Sequence, residues 1–267
     1  MQNNTLNNSL KHSSSTIPAI ILAGGQSQRL RLEGQYKWQL PFNNKQNLLQ
    51  YIINKISKQS DKVLINGPFI KEGILRNTAD GENSKETDDL SQYSLPLIHD
   101  KFPDFQGPLA GLFTALKWAK DNSHPWVMTL ACDSPFFPDD LLKQLYVALR
   151  LNHEANCSTE KNLGNEIKKK QAIVASSHGR MHPIFGIWST TLLTPLENKL
   201  NAPSKEKRSR SITQWAHQYA EVIDIKLTKI DSKSNESYKS HSNSHDAFFN
   251  INTIEDYHQA QSIIRAL

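Results

Sequence analysis

An apolar run at residues 17–22, IPAIIL, opens directly into Ala23-Gly24-Gly25, and no other stretch constrains the fold as tightly. The run reads as a buried strand near the N-terminus, interrupted only by Pro18. Small residues immediately after a strand let the backbone turn sharply and come close to a ligand. Gln26, Ser27 and Gln28 follow as polar residues, and Arg29 and Lys37 add positive charge. A strand that empties into a glycine turn beside cations suits a nucleotide phosphate. The stretch has no GxxxxGKS or GxxxxGKT, so it is not a P-loop, and no GxGxxG, so it is not a dinucleotide fingerprint. The plainer alternative is an ordinary strand followed by a glycine-rich loop.

The rest of the chain repeats the strand–helix alternation. Leu48, Leu49, Ile52, Ile53 and Ile56 recur at helical spacing and predict a helix over 46–59, with a short extended piece before it at 37–42. Strands are expected at 62–65, 95–98 and 126–130, the last almost wholly apolar, as at the centre of a parallel sheet. Helices are expected from Gly107-Pro108 onward and from 138 to about 150. Beyond these come a strand at 171–175, a turn at 176–180 and a returning strand at 182–188. Then follow helices at 192–200 and 212–219, strands at 221–227 and 248–251, and a last helix capped by Asn252 or Thr253. Such alternation predicts an α/β three-layer sandwich around a mainly parallel, Rossmann-like central sheet. We expect one domain over 17–267, a disordered polar tail at 1–16, and polar insertions near 76–94, 151–170 and 228–245.

Ligands of such sheets sit beyond the C-terminal strand ends. The glycine turn, His99-Asp100 and Asp133 all fall at such ends, so three separate regions point to one crevice. Asp133 follows the most apolar strand, where an acid can hold a divalent cation against phosphate oxygens. It could equally be a turn aspartate before Pro135. Lys37 and Arg29 could neutralise triphosphate charge or be ordinary surface charges. Asn250 and Asn252 alternate in the expected strand and would share one face, as amide donors into the crevice, unless Asn252 only caps the helix.

Composition removes several classes. The 31 Lys and Arg against 26 Asp and Glu give a net charge of +5, which suits an anionic small molecule. The basic runs at 168–170 and 205–210 lack interleaved aromatics, so no nucleic-acid platform is expected. Only Cys132 and Cys157 occur, which fits a reducing compartment. Cys132 reads as a small buried filler, and His178 with His182 lacks the helical context of a zinc pair. The first 16 residues have no apolar secretory core, and no run approaches the roughly 18 apolar residues of a membrane span. A cytoplasmic protein is the expectation.

Taken together, the chain resembles the molybdenum cofactor guanylyltransferase family, which has the fold of nucleotide-diphospho-sugar transferases. The resemblance rests on Leu22-Ala23-Gly24-Gly25 with Ser27, Arg29 and Lys37, on residues 107–111, GPLAG, and on residues 132–135, CDSP. It continues through His182-Pro183 to residues 249–253, FNINT. It implies magnesium at Asp133, with Lys37, Asp133 and Arg29 at the reacting phosphates. It also implies GTP held by Leu22, Ala23, Gly24, Gly25, Ser27, Lys37, Asp100 and Gly107. Asn250 and Asn252 would lie at the pterin-side pocket for molybdenum-molybdopterin, and His182 would be a further cofactor-binding residue. GMP would join that cofactor and pyrophosphate would leave. Transient contacts with cofactor-insertion proteins or molybdoenzyme chaperones, and a monomeric state, are further expectations. The segment from Leu30 to Tyr36 is two residues longer than the family's usual loop, and Tyr36 stands where an acid is usual. A cytidylyltransferase on the same cofactor, a sugar-phosphate nucleotidyltransferase and a non-catalytic binding adaptor remain alternatives.

Overall fold

Strand β1 (Ala19–Leu22) sits near the middle of a seven-stranded sheet, hydrogen-bonded to β2 (Val63–Asn66) on one side and β4 (Trp126–Ala131) on the other. The structure, a computed structural model, describes residues 14–24, 37–43, 46–67, 95–99, 107–159, 170–202, 211–226 and 246–266. The remaining strands are β3 (Leu97–Ile98), β5 (Ala172–Ser177), β6 (Arg180–Ser189) and β7 (Ala220–Asp224), in the order β3-β2-β1-β4-β6-β5-β7. Only β6 runs antiparallel to its neighbours, β4 and β5; every other pairing is parallel.

Alternation in the strands divides the core. Ala19 and Ile21 of β1 face one apolar cluster, and Ile20 faces the other. The first cluster is covered by α1 (Leu48–Ile56), α3 (Leu141–Thr159) and α6 (Ile254–Ala266). The second is covered by α2 (Pro108–Asp121), α4 (Leu193–Asn201) and α5 (Ile212–Tyr219). Helices thus cover both faces of a mainly parallel sheet, the three-layer arrangement the alternation predicts. Helix α1 begins where Asn47 accepts the Gln50 N–H and Gln50 returns the bond to Asn47 N–H, a reciprocal cap.

Three local expectations are corrected. Residues 37–42 are not simply extended: Lys37–Gln39 is a 3-10 turn, and Pro41 then bridges Asn47. Helix α3 continues to Thr159, through the start of the expected polar loop at 151–170. No Pro or Gly interrupts it there, Arg150 pairs with Glu154 one turn on, and buried His153 sets its ring edge-on against Trp126 at 5.6 Å.

Residues 248–251 are not a strand. Asp246 draws their backbone into local bonds instead: its Oδ1 accepts the Phe248 N–H and its carbonyl accepts the Phe249 N–H. Within the expected tail, Ser14–Thr16 forms a 3-10 turn, and Ser15 Oγ donates to Asp61. The expected insertions at 76–94 and 228–245 lie outside the described residues.

Candidate active site

The parallel strands deliver their C-terminal ends to one edge. The Ala23 N–H donates to the carbonyl of Asn66, just past β1, at 2.7 Å. The Cys132 N–H reaches the Leu22 carbonyl at 3.4 Å. Half-buried Leu22, buried Ala23 and exposed Gly24 therefore lie beside the turn that carries Asp133. Asn66 is itself buried and donates its amide to the Ile98 carbonyl, so it ties the ends of β1, β2 and β3 together.

Helix α2 points its N-terminus at the same edge. Gly111, in its first turn, packs so closely that an added Cβ would lie 3.0 Å from Asn66 Oδ1 and 3.2 Å from Leu22. Gly107 stands at the N-cap with no side-chain cap and with open space where a Cβ would go. Pro108 has no N–H and the Ala110 N–H already donates to the Gly107 carbonyl, so it is the positive end of the helix dipole that favours an anion at this edge.

Lys37 joins the parts. Its Nζ donates to Asp133 Oδ2 at 2.9 Å and to Asn252 Oδ1 at 2.9 Å. The lysine side chain is only 6% exposed, against 22% for Asp133. The 3-10 turn holds its backbone, anchored by buried Trp38 and Leu40. Asn252 is free to accept because Thr253 takes the capping role: Thr253 Oγ1 accepts the Asp256 N–H, and Asp256 Oδ2 accepts those of Asn252 and Thr253. A second tie fastens the same segment, since the Ile251 N–H donates to the Asp133 carbonyl. Asn250 is exposed and does not share a strand face with Asn252, which corrects the sequence expectation.

The donor set suits magnesium held jointly with a substrate. Asp133 keeps partial solvent access, and Lys37 engages only its Oδ2. Among the described residues no group of three His, Cys, Asp or Glu gathers around a point. One carboxylate with phosphate oxygens and waters is how magnesium usually binds, whereas a resident metal needs a larger protein cage. Cys132 beside it is a half-buried free cysteine. Burial, then the charge of Asp133, pushes its thiol up to about 12 against a smaller opposing pull from Lys37, so it stays protonated and unreactive at neutral pH.

His182, the third residue of β6, lies near the same edge and touches neither Lys37 nor Asp133 by any described bond. It meets Ser177 Oγ at 2.8 Å, and Ser177 donates to Asp246 at 2.6 Å. Neither Ser177 nor Asp246 carries a motif in the sequence, and Asn66 reads there only as a strand terminator. Gly25, Ser27, Arg29 and Asp100 lie outside the described residues. No described helix is long and apolar enough to cross a membrane.

Residues 19–222 match the family model of the MobA-like NTP transferase domain. Similar proteins include the molybdenum cofactor guanylyltransferase of Rhizobium johnstonii, 29% identical over 255 residues and 95% of each chain. That of Haemophilus influenzae Rd is 31% identical over 243 residues, 90% of this chain and 95% of its own. Among solved structures, molybdopterin-guanine dinucleotide biosynthesis protein A from Archaeoglobus fulgidus superposes with a TM-score of 0.58 at 19% identity. The match covers 94% of this chain and 100% of that one, and at that identity it speaks for the fold.

Proposed function

We propose that this chain, which belongs to the MobA-like NTP transferase family, transfers GMP from GTP to the phosphate of molybdenum-molybdopterin. The observation that carries the reading is the amine of Lys37, placed between a carboxylate at the end of β4 and an amide from the C-terminal segment. A fixed cation there supports a reading in which a nucleotide at the end of β1 meets an acceptor lying against the C-terminal segment. The named guanylyltransferases among its relatives supply the choice of base and acceptor.

In this reaction an oxygen of the acceptor phosphate forms a bond to the α-phosphorus of GTP. The bond from that phosphorus to the bridging oxygen breaks, and the electron pair leaves with pyrophosphate. No protein nucleophile is required. Lys37 offsets the negative charge that builds at the phosphates, and the N-terminal end of the α2 dipole adds to the same field. Asp133 would hold magnesium, which supplies charge neutralisation at the phosphate oxygens when bound. Asn252 orients Lys37 and keeps its amine from rotating. Most of the rate gain is then positioning and electrostatics.

The test offers GTP, CTP and ATP separately with the molybdenum form of molybdopterin and magnesium, and identifies products by mass. The guanine dinucleotide is expected from GTP. Guanine presents two donors and an acceptor on one edge, and each polar group left unpaired by another base costs about 1–3 kcal/mol. Two such groups give roughly a hundredfold preference in kcat/KM. CTP equal to or better than GTP would make the chain a cytidylyltransferase, and binding without product would make it an adaptor.

A further inference from the structure

The end of β5, the start of β6 and the segment leading into α6 meet at one chain of hydrogen bonds. Ser177 Oγ donates to Asp246 Oδ1 at 2.6 Å, and the Phe248 N–H donates to the same oxygen at 3.0 Å. A serine hydroxyl has one proton, and here it goes to the carboxylate. The 2.8 Å contact of Ser177 with His182 is therefore Nε2–H donating to Oγ. Above this chain the Phe248 ring lies 4.5 Å from the His182 ring and 4.7 Å from that of Phe185. Ser177 and Phe248 are both buried, so the junction is enclosed.

The segment that starts here ends at the lysine. Ile251 bonds the Asp133 carbonyl, and Asn252 takes the Lys37 amine. Only five residues thus separate a pinned aspartate from the amide that orients Lys37. The intervening backbone is a turn and an irregular stretch, with no strand ladder to fix its height. We propose that Ser177, His182 and Asp246 are positioning residues, which set the height of residues 246–252 and so hold Asn252 against Lys37. The inference rests on the reading of Lys37 as the charge-offsetting group. It adds that the β5–β6 hairpin, away from the reacting phosphates, controls where that charge sits. Asp246 contributes as an acceptor at Oδ1, so geometry and not charge is its main requirement.

The experiment acetylates lysines of the unliganded full-length protein briefly and reads Lys37 by mass spectrometry. Ser177→Ala and Asp246→Ala each remove two hydrogen bonds of the chain, and a net loss of even about 1 kcal/mol corresponds to roughly fivefold faster labelling of Lys37. Asp246→Asn keeps the Oδ1 acceptor and should return Lys37 to within about twofold of the unaltered protein. Hydrogen exchange of β1 and β4 should be unchanged in all three variants. Unchanged Lys37 labelling in both alanine variants would overturn the proposal. So would faster labelling accompanied by lost protection in β1 and β4, which marks general loosening. Steady-state kinetics supply the second readout: kcat should fall in Asp246→Ala and recover in Asp246→Asn, and a kcat equal to that of the unaltered protein in Asp246→Ala would overturn the proposal. No nucleotide enters the labelling measurement. A failure of the proposed reaction appears separately, as no product from the unaltered protein with any nucleotide.

Discussion

Lys37 Nζ and Asp133 Oδ2 lie 2.9 Å apart although 96 positions separate them in the chain, and both groups are largely shielded from water. A pair so enclosed is costly to break from one side, because the survivor keeps its charge and loses its partner. The pair also sits beside the C-terminal end of β1, where the Cys132 N–H reaches the Leu22 carbonyl. Each partner therefore contributes to stability and, under the proposed reaction, to turnover as well, so substitutions at the two positions should separate those contributions.

Asp133→Asn keeps the size of the side chain and removes its charge. Turnover should fall by at least about tenfold at saturating magnesium, with the fold retained by circular dichroism. Turnover equal to that of the unaltered protein would show that Asp133 does not serve the metal.

Lys37→Arg keeps the charge and changes its shape. A planar guanidinium cannot take the compact position between Asp133 Oδ2 and Asn252 Oδ1 that the ammonium occupies. We expect kcat to fall by roughly tenfold or more, and Lys37→Met by about a hundredfold, measured by pyrophosphate release. An arginine variant as fast as the unaltered enzyme would mean that charge alone, without placement, suffices.

Gly186→Ala tests the core that holds the site. A Cβ there would lie 2.8 Å from the Ile173 carbonyl oxygen and 2.8 Å from Val174 Cγ1, inside the β5–β6 pairing. The carbonyl belongs to the sheet backbone and cannot move away cheaply. Overpacking of this kind costs about 1–3 kcal/mol, so the melting temperature should drop by several degrees. An unchanged melting curve would show that the pairing relaxes more easily than the distances imply.

Acid should weaken the fold through His182. Burial holds its imidazole below the ordinary value of 6.5, against the pull of Asp246, while Arg180 adds to the lowering. The folded protein therefore binds a proton less readily than the unfolded chain. The stabilisation is fully present above 6.5 and is lost as pH falls toward and through the depressed folded value. His124 is lowered as well, by burial and then by Lys62, and works in the same direction. Melting temperatures between about pH 7 and pH 5 should fall, and His182→Gln should shrink that drop without abolishing it. A drop unaltered by the substitution would remove His182 as a contributor.

The fold was largely legible because its evidence is local. Apolar runs such as 126–131 and the helical spacing of Leu48, Leu49, Ile52, Ile53 and Ile56 report burial directly, and the structure buries all of those residues. Where a side chain competes for backbone bonds, the pattern misleads. Residues 248–251 have the composition of a strand, yet Asp246 Oδ1 accepts the Phe248 N–H and the Asp246 carbonyl accepts the Phe249 N–H, so no ladder forms.

By itself the sequence determined the order of the main strands and helices, apart from the strand expected at 248–251, and the presence of an aspartate at the end of the central apolar strand. These follow from the chemistry of neighbouring residues. Only the tertiary structure decided that Lys37 meets Asp133 and Asn252, that Thr253 and not Asn252 caps α6, and that Ser177, His182 and Asp246 join in one chain. Those contacts span long stretches of sequence, and a polar side chain carries no local mark of its partner. The parallel sheet makes the choice, since it brings separate strand ends to one edge and leaves each polar group there to find whichever acceptor or donor lies within reach.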